Sequence, residues 1–521
     1  MNLLNNGGLV PMTTRSSQRS RRLLAGVFSF ALVAAACGSD DDGGDGGDTE
    51  TTEAAEGGEE EAAADEEAST TEAMEDDAAA EDEAAAEDDA AAEDDAAAED
   101  DAAAAVEPAG EATGEPFVIG VQNLEGDPAG SFPEYSLSIQ AAVEYVNTEL
   151  GGLQGRPIEI ELCKSIVAPD DSQRCANELS ASGVEMAIST LNFFGNHFSI
   201  YQGSEIPVVV GTPITIADFT TEGVYSIGAG GGCLGVHTGL VEFATNQIED
   251  LEGIEVNSVG VPWADTPPGV VCYNDLEAKP LDVLNGTEPG EAARAGEKPE
   301  LTYVGVPIAP ASPDVTPQAT EVLDSDPDVI IYSAQGADCW NFVDALGRLG
   351  WTPEDTPLVL SGACTDFEAQ RAAGPLAEGV YFMGSGNSLL SPLESQEPGK
   401  NLDDATVYQE KGSQYGLSDD DLFKGFSTQG FSAIMNVWEA ANAIDGEVTG
   451  EAIADAFAAT DGSGTTFGAA PLNCADAPEP YIAVCSSEVS VNVWDGEETV
   501  PVVDVLTGLD LVAGTELRPG G

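Results

Sequence analysis

The sequence predicts an α/β fold with two doubly wound, parallel-sheet lobes, and three observations support this prediction. Short apolar runs of strand length alternate with segments whose apolar residues recur at helical spacing. The strand runs are apolar almost throughout, which is typical of parallel strands covered by helices on both faces. The alternation also restarts partway along the chain, so we expect two Rossmann-like lobes with a cleft between them.

The N-terminal segment predicts export and lipid anchoring. The arginines between Arg15 and Arg22 precede a run of about 14 apolar or small residues, which is too short to span a bilayer and is typical of a signal peptide. Val33–Cys37 resembles the bacterial lipobox, whose cysteine becomes the diacylglycerol-modified first residue of the mature chain. Cleavage at an ordinary small-residue site, with Cys37 left unmodified, is the alternative interpretation.

The next segment, 38–113, predicts a disordered acidic linker. Between Asp40 and Glu111 the chain has 32 acidic residues and no lysine or arginine, and part of it repeats Ala-Ala-Ala-Glu-Asp-Asp. A six-residue period leaves no apolar stripe on a helix, and clustered carboxylates repel one another. We interpret the segment as a tether between an anchor and a folded head. A low-complexity insert that serves only solubility is the alternative.

The first lobe is predicted from four strands and the helices between them. One helix carries apolar residues at spacings of four, three and four, from Ile139 to Leu150, and a Gly-Gly pair ends it. A second helix is expected to run to Leu179 with Asp170 and Asp171 at its N-cap. The predicted strands are Phe117–Val121, Ile158–Leu162, Val184–Thr190 and Ile206–Val210.

The second lobe is predicted from a later series of the same kind. Its clearest helix is expected over Asp338–Leu349, directly after an apolar strand. The predicted strands are Val256–Val261, Leu301–Val306, Val329–Tyr332 and Leu358–Leu360.

Several motifs, taken in their order along the chain, resemble one protein family. The motifs are Phe117–Val121, Ala141–Asn147, Leu150–Arg156, Ile206–Val210, Asp218–Thr220, Asp328–Tyr332, Leu346–Gly350 and Glu378–Tyr381. Together they resemble the leucine/isoleucine/valine-type solute-binding proteins, which are type I periplasmic-binding receptors of ATP-driven (ABC) importers. The resemblance implies a three-strand hinge, and we expect its crossings near Gly230–Gly235, Met383–Gly386 and Phe467–Pro471.

The first crossing also matches G-x-G-x-x-G, but this motif alone is a weak sign of dinucleotide binding, and the hinge interpretation is preferred.

These interpretations together predict the organisation of the chain. The expected segments are a lipoprotein signal peptide with lipobox (1–37), the linker (38–113), the first part of lobe 1 (114–235), the first part of lobe 2 (236–383), the second part of lobe 1 (384–468), and the C-terminal part of lobe 2 with a tail (469–521).

The cysteines predict structural disulfides. Of the nine cysteines, Cys37 belongs to the lipobox, and the remaining eight are an even number, as expected in an oxidising compartment. Eight cysteines allow 105 connectivities. Pairing neighbours in sequence predicts Cys163–Cys175, Cys233–Cys272, Cys339–Cys364 and Cys474–Cys485. Zinc is the alternative, although no pair has C-x-x-C spacing and only His197 and His237 are available to assist.

Candidate ligand-binding residues lie just beyond the carboxyl ends of predicted strands, where doubly wound folds bind ligands. The resemblance implies that Thr215 contacts the ligand, while Phe193 or Phe194 stands where the family has a serine, and Gln335 where it has an aromatic residue. Two aromatic rings and an amide favour a flatter or less charged solute than an α-amino acid. The alternatives are core packing for the phenylalanines, a helix N-cap for Thr215 and a solvated loop for Gln335. The full candidate set is Asn192, Phe193, Phe194, Thr212, Thr215, Gln335 and Asp366.

Charge and motif content narrow the functional classes. With 95 acidic against 16 basic residues, a formal net charge of −79 excludes an electrostatic grip on nucleic acid. Only two histidines are present, and neither lies near a nucleophile elbow or a zinc-protease motif, so we do not expect an enzyme. A ligand-sensing receptor for a signalling partner and, less favoured, a secreted hydrolase are the alternatives.

The sequence therefore predicts an extracytoplasmic receptor that closes two lobes around a small polar or amino-acid-like solute, of the branched-chain amino acid or amide class. The resemblance implies permease and ATPase subunits as partners. We expect a monomer that needs no cofactor or metal and is held to the outer face of the cell membrane only by its lipid.

If Cys37 is lipidated, Cys37→Ala should release the protein into the medium or leave the unprocessed precursor. Cell fractionation and mass spectrometry of the mature N-terminus measure this. A mature chain that begins elsewhere and carries no acyl mass would contradict the anchor.

Overall fold

The structure is a computed structural model that describes residues 109–515. The predicted signal peptide, Cys37 and nearly all of the predicted linker lie outside the described residues. The last linker residues are described and already contact the folded body: the N–H groups of Gly110 and Ala112 donate to the carbonyl oxygens of Glu149 and Asn147, at 3.1 and 2.8 Å. The described residues just before position 114 therefore already belong to the hydrogen-bonded head.

Twelve strands form the two sheets among these residues. Their bounds are β1 Phe117–Leu124, β2 Ile158–Ser165, β3 Met186–Ser189, β4 Val208–Val210, β5 Val224–Ser226, β6 Ser258–Ala264, β7 Thr302–Ile308, β8 Val329–Tyr332, β9 Leu358–Ser361, β10 Tyr381–Gly384, β11 Val489–Trp494 and β12 Thr499–Leu506. The first sheet has the order β2-β1-β3-β4-β5, and the second has the order β12-β11-β10-β9-β8-β6-β7.

Strand direction confirms the predicted α/β class. Every pair in the first sheet is parallel. The second sheet is parallel from β7 to β10, and β11 and β12 extend it in antiparallel pairing. All eight predicted strands are present within a few residues of their expected bounds. Four strands were not predicted from the sequence: β5, which has three residues, and β10, β11 and β12.

Helices cover both sheets. Their bounds are α1 Pro133–Thr148, α2 Pro169–Ser182, α3 Phe198–Gly203, α4 Ile216–Thr220, α5 Cys233–Glu242, α6 Ile248–Glu252, α7 Pro267–Tyr273, α8 Lys279–Asn285, α9 Thr316–Asp324, α10 Ala337–Arg348, α11 Phe367–Ala373, α12 Asn387–Leu390, α13 Lys400–Gln414, α14 Asp419–Leu422, α15 Gly425–Asn442 and α16 Gly450–Ala458. Within residues 109–515, no helix combines the length and apolar character needed to cross a bilayer.

The N-cap predicted for the second helix was wrong. Ala168 occupies the N-cap of α2, and Pro169 is the first helical residue. Proline is favoured there because it lacks the N–H that would be unpaired and has a fixed helical φ. Asp170 and Asp171 therefore lie in the first turn, where Asp171 accepts a hydrogen bond from the backbone N–H of Ile166 at 2.8 Å.

The lobes are linked where the chain leaves one sheet for the other. At the first crossing Gly232 has a φ of 55°, and a Cβ atom there would collide with the carbonyl oxygen of Pro213. Only glycine combines this conformation with so close an approach. The glycine motif therefore has a structural reason at this position.

The second and third crossings follow β10 and precede β11. The third lies later than the expected Phe467–Pro471, because Val484 still pairs with Ser226 at the edge of the first sheet. Phe467 packs against Phe431 of α15, with ring centroids 5.7 Å apart. The chain then enters the second sheet at Val489. The other expected segment boundaries stay predictions.

The described cysteines form the four predicted disulfides. Cys163–Cys175 joins β2 to α2, Cys233–Cys272 joins α5 to α7, and Cys339 on α10 is bonded to Cys364 just after β9. Cys474–Cys485 closes the loop before the third crossing. Each disulfide links segments that are close in sequence, as expected for bridges that stabilise a single lobe.

Removing the bridge between β2 and α2 with Cys163→Ala/Cys175→Ala should lower the free energy of unfolding by about 3 kcal/mol, because the unfolded chain gains loop entropy. Chemical denaturation of wild type and double variant measures the difference. Non-reducing peptide mapping of the exported protein should return all four pairs. Four or more free thiols would contradict the pairing.

Candidate functional site: the cleft between the lobes

The carboxyl ends of strands from both sheets meet at one cleft, the main cleft, of about 1070 Å³ including its open mouth. This edge is where doubly wound sheets bind ligands. The first lobe contributes Leu191, Phe193, Thr212 and Ile214. The second contributes Trp263, Thr266, Pro268, Ser333, Gln335, Asp338, Ser361, Gly362 and Met383. Helix α5, which follows the first crossing, supplies Cys233, Val236 and His237, and α15 supplies Phe426, Thr428 and Gln429.

Three aromatic rings form apolar walls of the main cleft. Phe193 follows β3 and is 4% exposed. Trp263 on β6 stacks on Tyr273 of α7, with centroids 5.0 Å apart and planes 6° from parallel. Phe426 packs edge-on against Phe132 at 4.7 Å. Because these rings are held by neighbours, they offer preformed surfaces to a ligand.

Asp338 is the only carboxylate among the described residues that line the main cleft, and no lysine or arginine lines it. It lies half-buried in the first turn of α10, where its oxygens accept a hydrogen bond from the backbone N–H of Ala311 at 3.1 and 3.3 Å. Burial raises the pKa of Asp338, and the Ala311 N–H opposes that rise. An ammonium or amide N–H of a ligand would stabilise the charged carboxylate.

His237 is paired with an acid beneath the cleft surface. Its Nδ1 lies 2.8 Å from Oε1 of Glu277, and both side chains are nearly inaccessible to solvent. Glu277 belongs to the helical turn that joins α7 to α8. A proton on His237 would therefore be neutralised by Glu277, so this pair adds no net positive charge to the cleft.

Asn192 organises the loop after β3 rather than lining the cleft. Its Oδ1 accepts hydrogen bonds from the backbone N–H groups of Phe194 and Gly195, at 2.9 and 3.3 Å. Its Nδ2 donates to Oγ of Ser172 at 2.8 Å. Ser172 in turn contacts Nδ1 of His197 at 3.3 Å. This buried network fixes the loop that presents Phe193.

Thr215 is the N-cap of α4 and forms a capping box with Asp218. Its hydroxyl accepts from the backbone N–H of Asp218 at 3.2 Å and donates to the carboxylate at 2.9 Å. Burial raises the pKa of Asp218 to about 6, although the N–H groups of Ile214 and Thr215 lower it. The hydroxyl is therefore engaged by its own helix.

A second cavity, the side pocket, opens beside the main cleft with a volume of about 1020 Å³ including its mouth. Thr215 and Phe194 line this side pocket, not the main cleft. The complete lining is Phe193, Phe194, Thr215, Ile216, Ala217, Asp265, Thr266, Pro267, Pro268, Val270 and Val271.

The structure thus separates the candidate ligand-binding residues into three groups: those that line the main cleft, Phe194 and Thr215, which line only the side pocket, and those that line neither cavity. Phe193, Thr212 and Gln335 line the main cleft. Asp366 lines neither cavity, because its Oδ1 caps α11 by accepting from the N–H of Ala369 at 2.9 Å. Asn192 also lines neither. Contact of any candidate with a ligand stays a prediction.

Several cleft residues escaped the sequence analysis. Asp338 lies three residues beyond Gln335, inside the predicted helix, so the strand-end rule did not select it. Trp263 is on β6 itself, which continues past its predicted end. Phe426 and Gln429 belong to a helix far along the chain, and no local pattern indicates that this helix reaches the cleft.

The structure does not favour the zinc interpretation at the one described cluster with metal-ligand types. The ligand atoms of Cys233, His237 and Cys272 all lie within 4.8 Å of one another. The two sulfurs are bonded to each other, whereas a metal needs thiolates. The cluster is therefore a disulfide beside a histidine.

The family comparison supports the resemblance drawn from the sequence. A model of the periplasmic binding protein family matches residues 286–474. None of the curated proteins matches the chain. The matched residues include β7 to β10 and the helices that return to the first lobe.

Solved structures share the fold at low sequence identity. A fatty acid ABC transporter substrate-binding protein from Thermomonospora curvata is 14% identical, with 79% of this chain and 97% of that chain covered and a TM-score of 0.57. LivJ from Streptococcus pneumoniae, a branched-chain amino acid transporter substrate-binding protein in complex with isoleucine, is 13% identical, with 75% of this chain and 100% of that chain covered and a TM-score of 0.55. An ABC-transporter solute-binding protein from R. palustris, in complex with 4-hydroxybenzoate, is 15% identical, with 75% of this chain and 97% of that chain covered and a TM-score of 0.57. The resemblance to type I periplasmic binding proteins is thereby confirmed.

Two threonines allow capping and ligand contact to be separated. Thr215→Ala should lower the free energy of unfolding by about 1 kcal/mol, because it removes an N-cap, and should change ligand affinity little. Thr212→Ala should weaken the binding of a ligand identified by screening by about tenfold to a hundredfold, because Thr212 lines the main cleft, where its hydroxyl, 3.4 Å from that of Tyr135, can also bond to the ligand. Calorimetry and thermal melting measure both. A tenfold affinity loss in Thr215→Ala at unchanged stability would contradict this assignment.

Proposed function

We propose that this chain, which has the fold of type I periplasmic binding proteins, is an extracytoplasmic solute-binding receptor of an ABC importer. The observation that carries the proposal is the main cleft, which is lined from both lobes at the carboxyl ends of their strands. A solute that touches both walls favours the closed arrangement by its differential affinity for it. The receptor then delivers its solute to permease and ATPase subunits.

Glycine at the crossings supports a closing motion. Gly232 precedes α5, and Gly384 and Gly386 flank the second crossing, where Gly386 has a φ of 74°. Hinges need a few residues that absorb changes in φ and ψ, and the rest of each lobe moves as a rigid body. The disulfides within each lobe favour such rigidity.

The solute we propose is a small polar or amino-acid-like molecule of the branched-chain amino acid or amide class. Asp338 suits an ammonium or amide N–H, and Gln335 offers an amide group to a polar end. The rings of Phe193 and Trp263 suit an apolar body. LivJ binds isoleucine, which has both of these parts.

Catalysis is not part of the proposal. His197 contacts the hydroxyls of Ser172 and Ser189, at 3.3 and 2.9 Å, an arrangement that superficially suggests an activated serine. The histidine is 0% exposed and Ser189 is 1% exposed, so a substrate has no access to either. Burial also lowers the pKa of His197 to about 3, which keeps the ring neutral. The group supports the loop after β3.

The proposed location is the outer face of the cell membrane, through a lipid on Cys37. The four disulfides support an oxidising compartment. The acidic segment before the head would then act as a spacer between membrane and receptor.

A thermal-shift screen of the purified protein against a wide library of amino acids, amides, amines and carboxylates tests the proposal. At least one solute should raise the melting temperature, and calorimetry should give saturable binding to one site. Asp338→Asn should weaken an amine-bearing solute about tenfold, because it removes the charged partner.

The matched control is Asp344→Asn, which changes an acid on the same helix whose side chain is 63% exposed. This variant should bind the solute like wild type. If no member of the library binds, or if both variants lose affinity equally, the proposed receptor function at this cleft is contradicted.

A further inference from the structure

We infer that His237 contacts the solute in the main cleft and recognises an oxygen acceptor on it, a carboxylate or a carbonyl group, through the N–H of Nε2. Glu277 is the positioning residue that holds the imidazole ring. The inference rests on the proposed receptor function and assigns the chemistry of one group of the solute.

Two adjacent cross-links hold His237 in place. Cys233 and His237 lie one turn apart on α5, and Glu277 follows Cys272 across the π-helical turn at the end of α7. The two cysteines are bonded to each other, and Nδ1 of His237 lies 2.8 Å from Oε1 of Glu277. Single π-helical turns are frequent at functional sites. The disulfide keeps α5 and α7 together, so the carboxylate stays beside the ring.

The two ring nitrogens of His237 have different surroundings. Nδ1 is buried beside Glu277, and neither oxygen of this carboxylate has a hydrogen-bond partner elsewhere among the described residues. Nε2 belongs to the accessible remainder of a side chain that is 7% exposed, and no described residue forms a hydrogen bond with it. Because His237 lines the main cleft, Nε2 is the polar ring atom available to a solute.

Burial of the pair determines which ring nitrogen carries a proton. The side chains of His237 and Glu277 are 7% and 1% exposed, so a net charge on the pair would be costly. The adjacent pair of Lys279 with Asp275, 3.1 Å apart, contributes no net charge. The His237–Glu277 pair is neutral if Glu277 is ionised and the ring has both protons, or if Glu277 is protonated and donates to Nδ1. Nε2 carries a hydrogen atom in both arrangements and is therefore a donor.

A solute that fills the main cleft has to provide an acceptor for this donor. Water can accept the hydrogen bond in an open cleft, but a bound solute displaces the water, and a donor left buried without a partner is costly. Carboxylate and carbonyl oxygens are suitable acceptors, and a carboxylate forms the stronger, charge-assisted bond with an imidazolium. Recognition of a carboxylate at this position needs no lysine or arginine.

Nitrogen-15 NMR of the full chain with labelled histidine tests the donor without a solute. The chain has two histidines, and the ring signals that disappear in His237→Gln belong to His237. At neutral pH, Nε2 of His237 should be protonated. A bare Nε2, with a proton on Nδ1 alone, would overturn the inference and leave the receptor proposal intact.

Three solutes that share one amine and one branched carbon chain test the acceptor: leucine, leucinamide and 3-methylbutylamine, which has no oxygen. Titration calorimetry on the full chain should show leucine and leucinamide binding about tenfold to a hundredfold more tightly than 3-methylbutylamine. His237→Met/Glu277→Met replaces the pair by apolar side chains and should abolish this preference. His237→Gln/Glu277→Met returns an N–H to the position of Nε2 and should restore most of it.

The matched control is Glu255→Met, which places the same apolar side chain at an exposed position of the second lobe and should leave all three affinities unchanged. A preference for leucine that persists in His237→Met/Glu277→Met, or an equal loss for all three solutes, would overturn the inference. An equal loss would show that the pair has only a structural role. The receptor function stands in either case.

If none of the three binds, the solutes returned by the wide library decide. Each should contain a carboxylate or carbonyl oxygen and should lose about tenfold in affinity in His237→Met/Glu277→Met. A solute without such an oxygen, or one that binds this variant like wild type, overturns the inference and leaves the receptor function standing. If the library yields no solute, the receptor proposal is contradicted and the inference with it.

Discussion

The common direction of the parallel strands is the constraint on which the cleft depends. Because parallel strands end at the same edge of a sheet, the loops after β3 and β4 face the loops after β6, β8 and β9 once the two edges meet. Phe193, Thr212, Trp263 and Gln335 therefore converge although up to 142 positions separate them in sequence. The antiparallel strands β11 and β12 lie at the edge of the second sheet opposite β7. No described residue of these two strands, or of the turn between them, lines the main cleft.

Buried polar groups hold this edge in place. Ser172, His197 and Asn192 form one connected group behind the loop that carries Phe193. Thr215 and Asp218 form a capping box that holds the loop after β4. Each donor or acceptor in these groups would be costly to bury unpaired, so the network favours one loop conformation. A cleft with preformed walls loses less conformational entropy when it binds a solute.

The fold was predictable from the sequence wherever local residue patterns determine the strands and helices. Buried parallel strands such as Val329–Tyr332 are short apolar runs, and the structure places this strand at the predicted residues. The N-cap of α2 and the third crossing were missed because Pro169 at a first helical position and the pairing of Val484 with Ser226 are decided by context.

The candidate site was predictable only in part, for a related reason. The strand-end rule finds Phe193, Thr212 and Gln335, which all line the main cleft, because it needs only a strand and the loop directly after that strand. It does not distinguish a residue that faces the cleft from one that caps a helix, as Thr215 and Asp366 do. Phe426 enters the cleft from α15, whose packing against α1 is a tertiary event without a local signal.

Hydrogen–deuterium exchange of the full chain, with and without a saturating solute found by screening, tests the central claim most directly. A solute held between the lobes should slow exchange in peptides from both walls together, over 191–195 and 211–215 in the first lobe and over 333–338 and 361–363 in the second. Protection confined to one lobe, or located away from both walls, would contradict a receptor that closes two lobes around its solute.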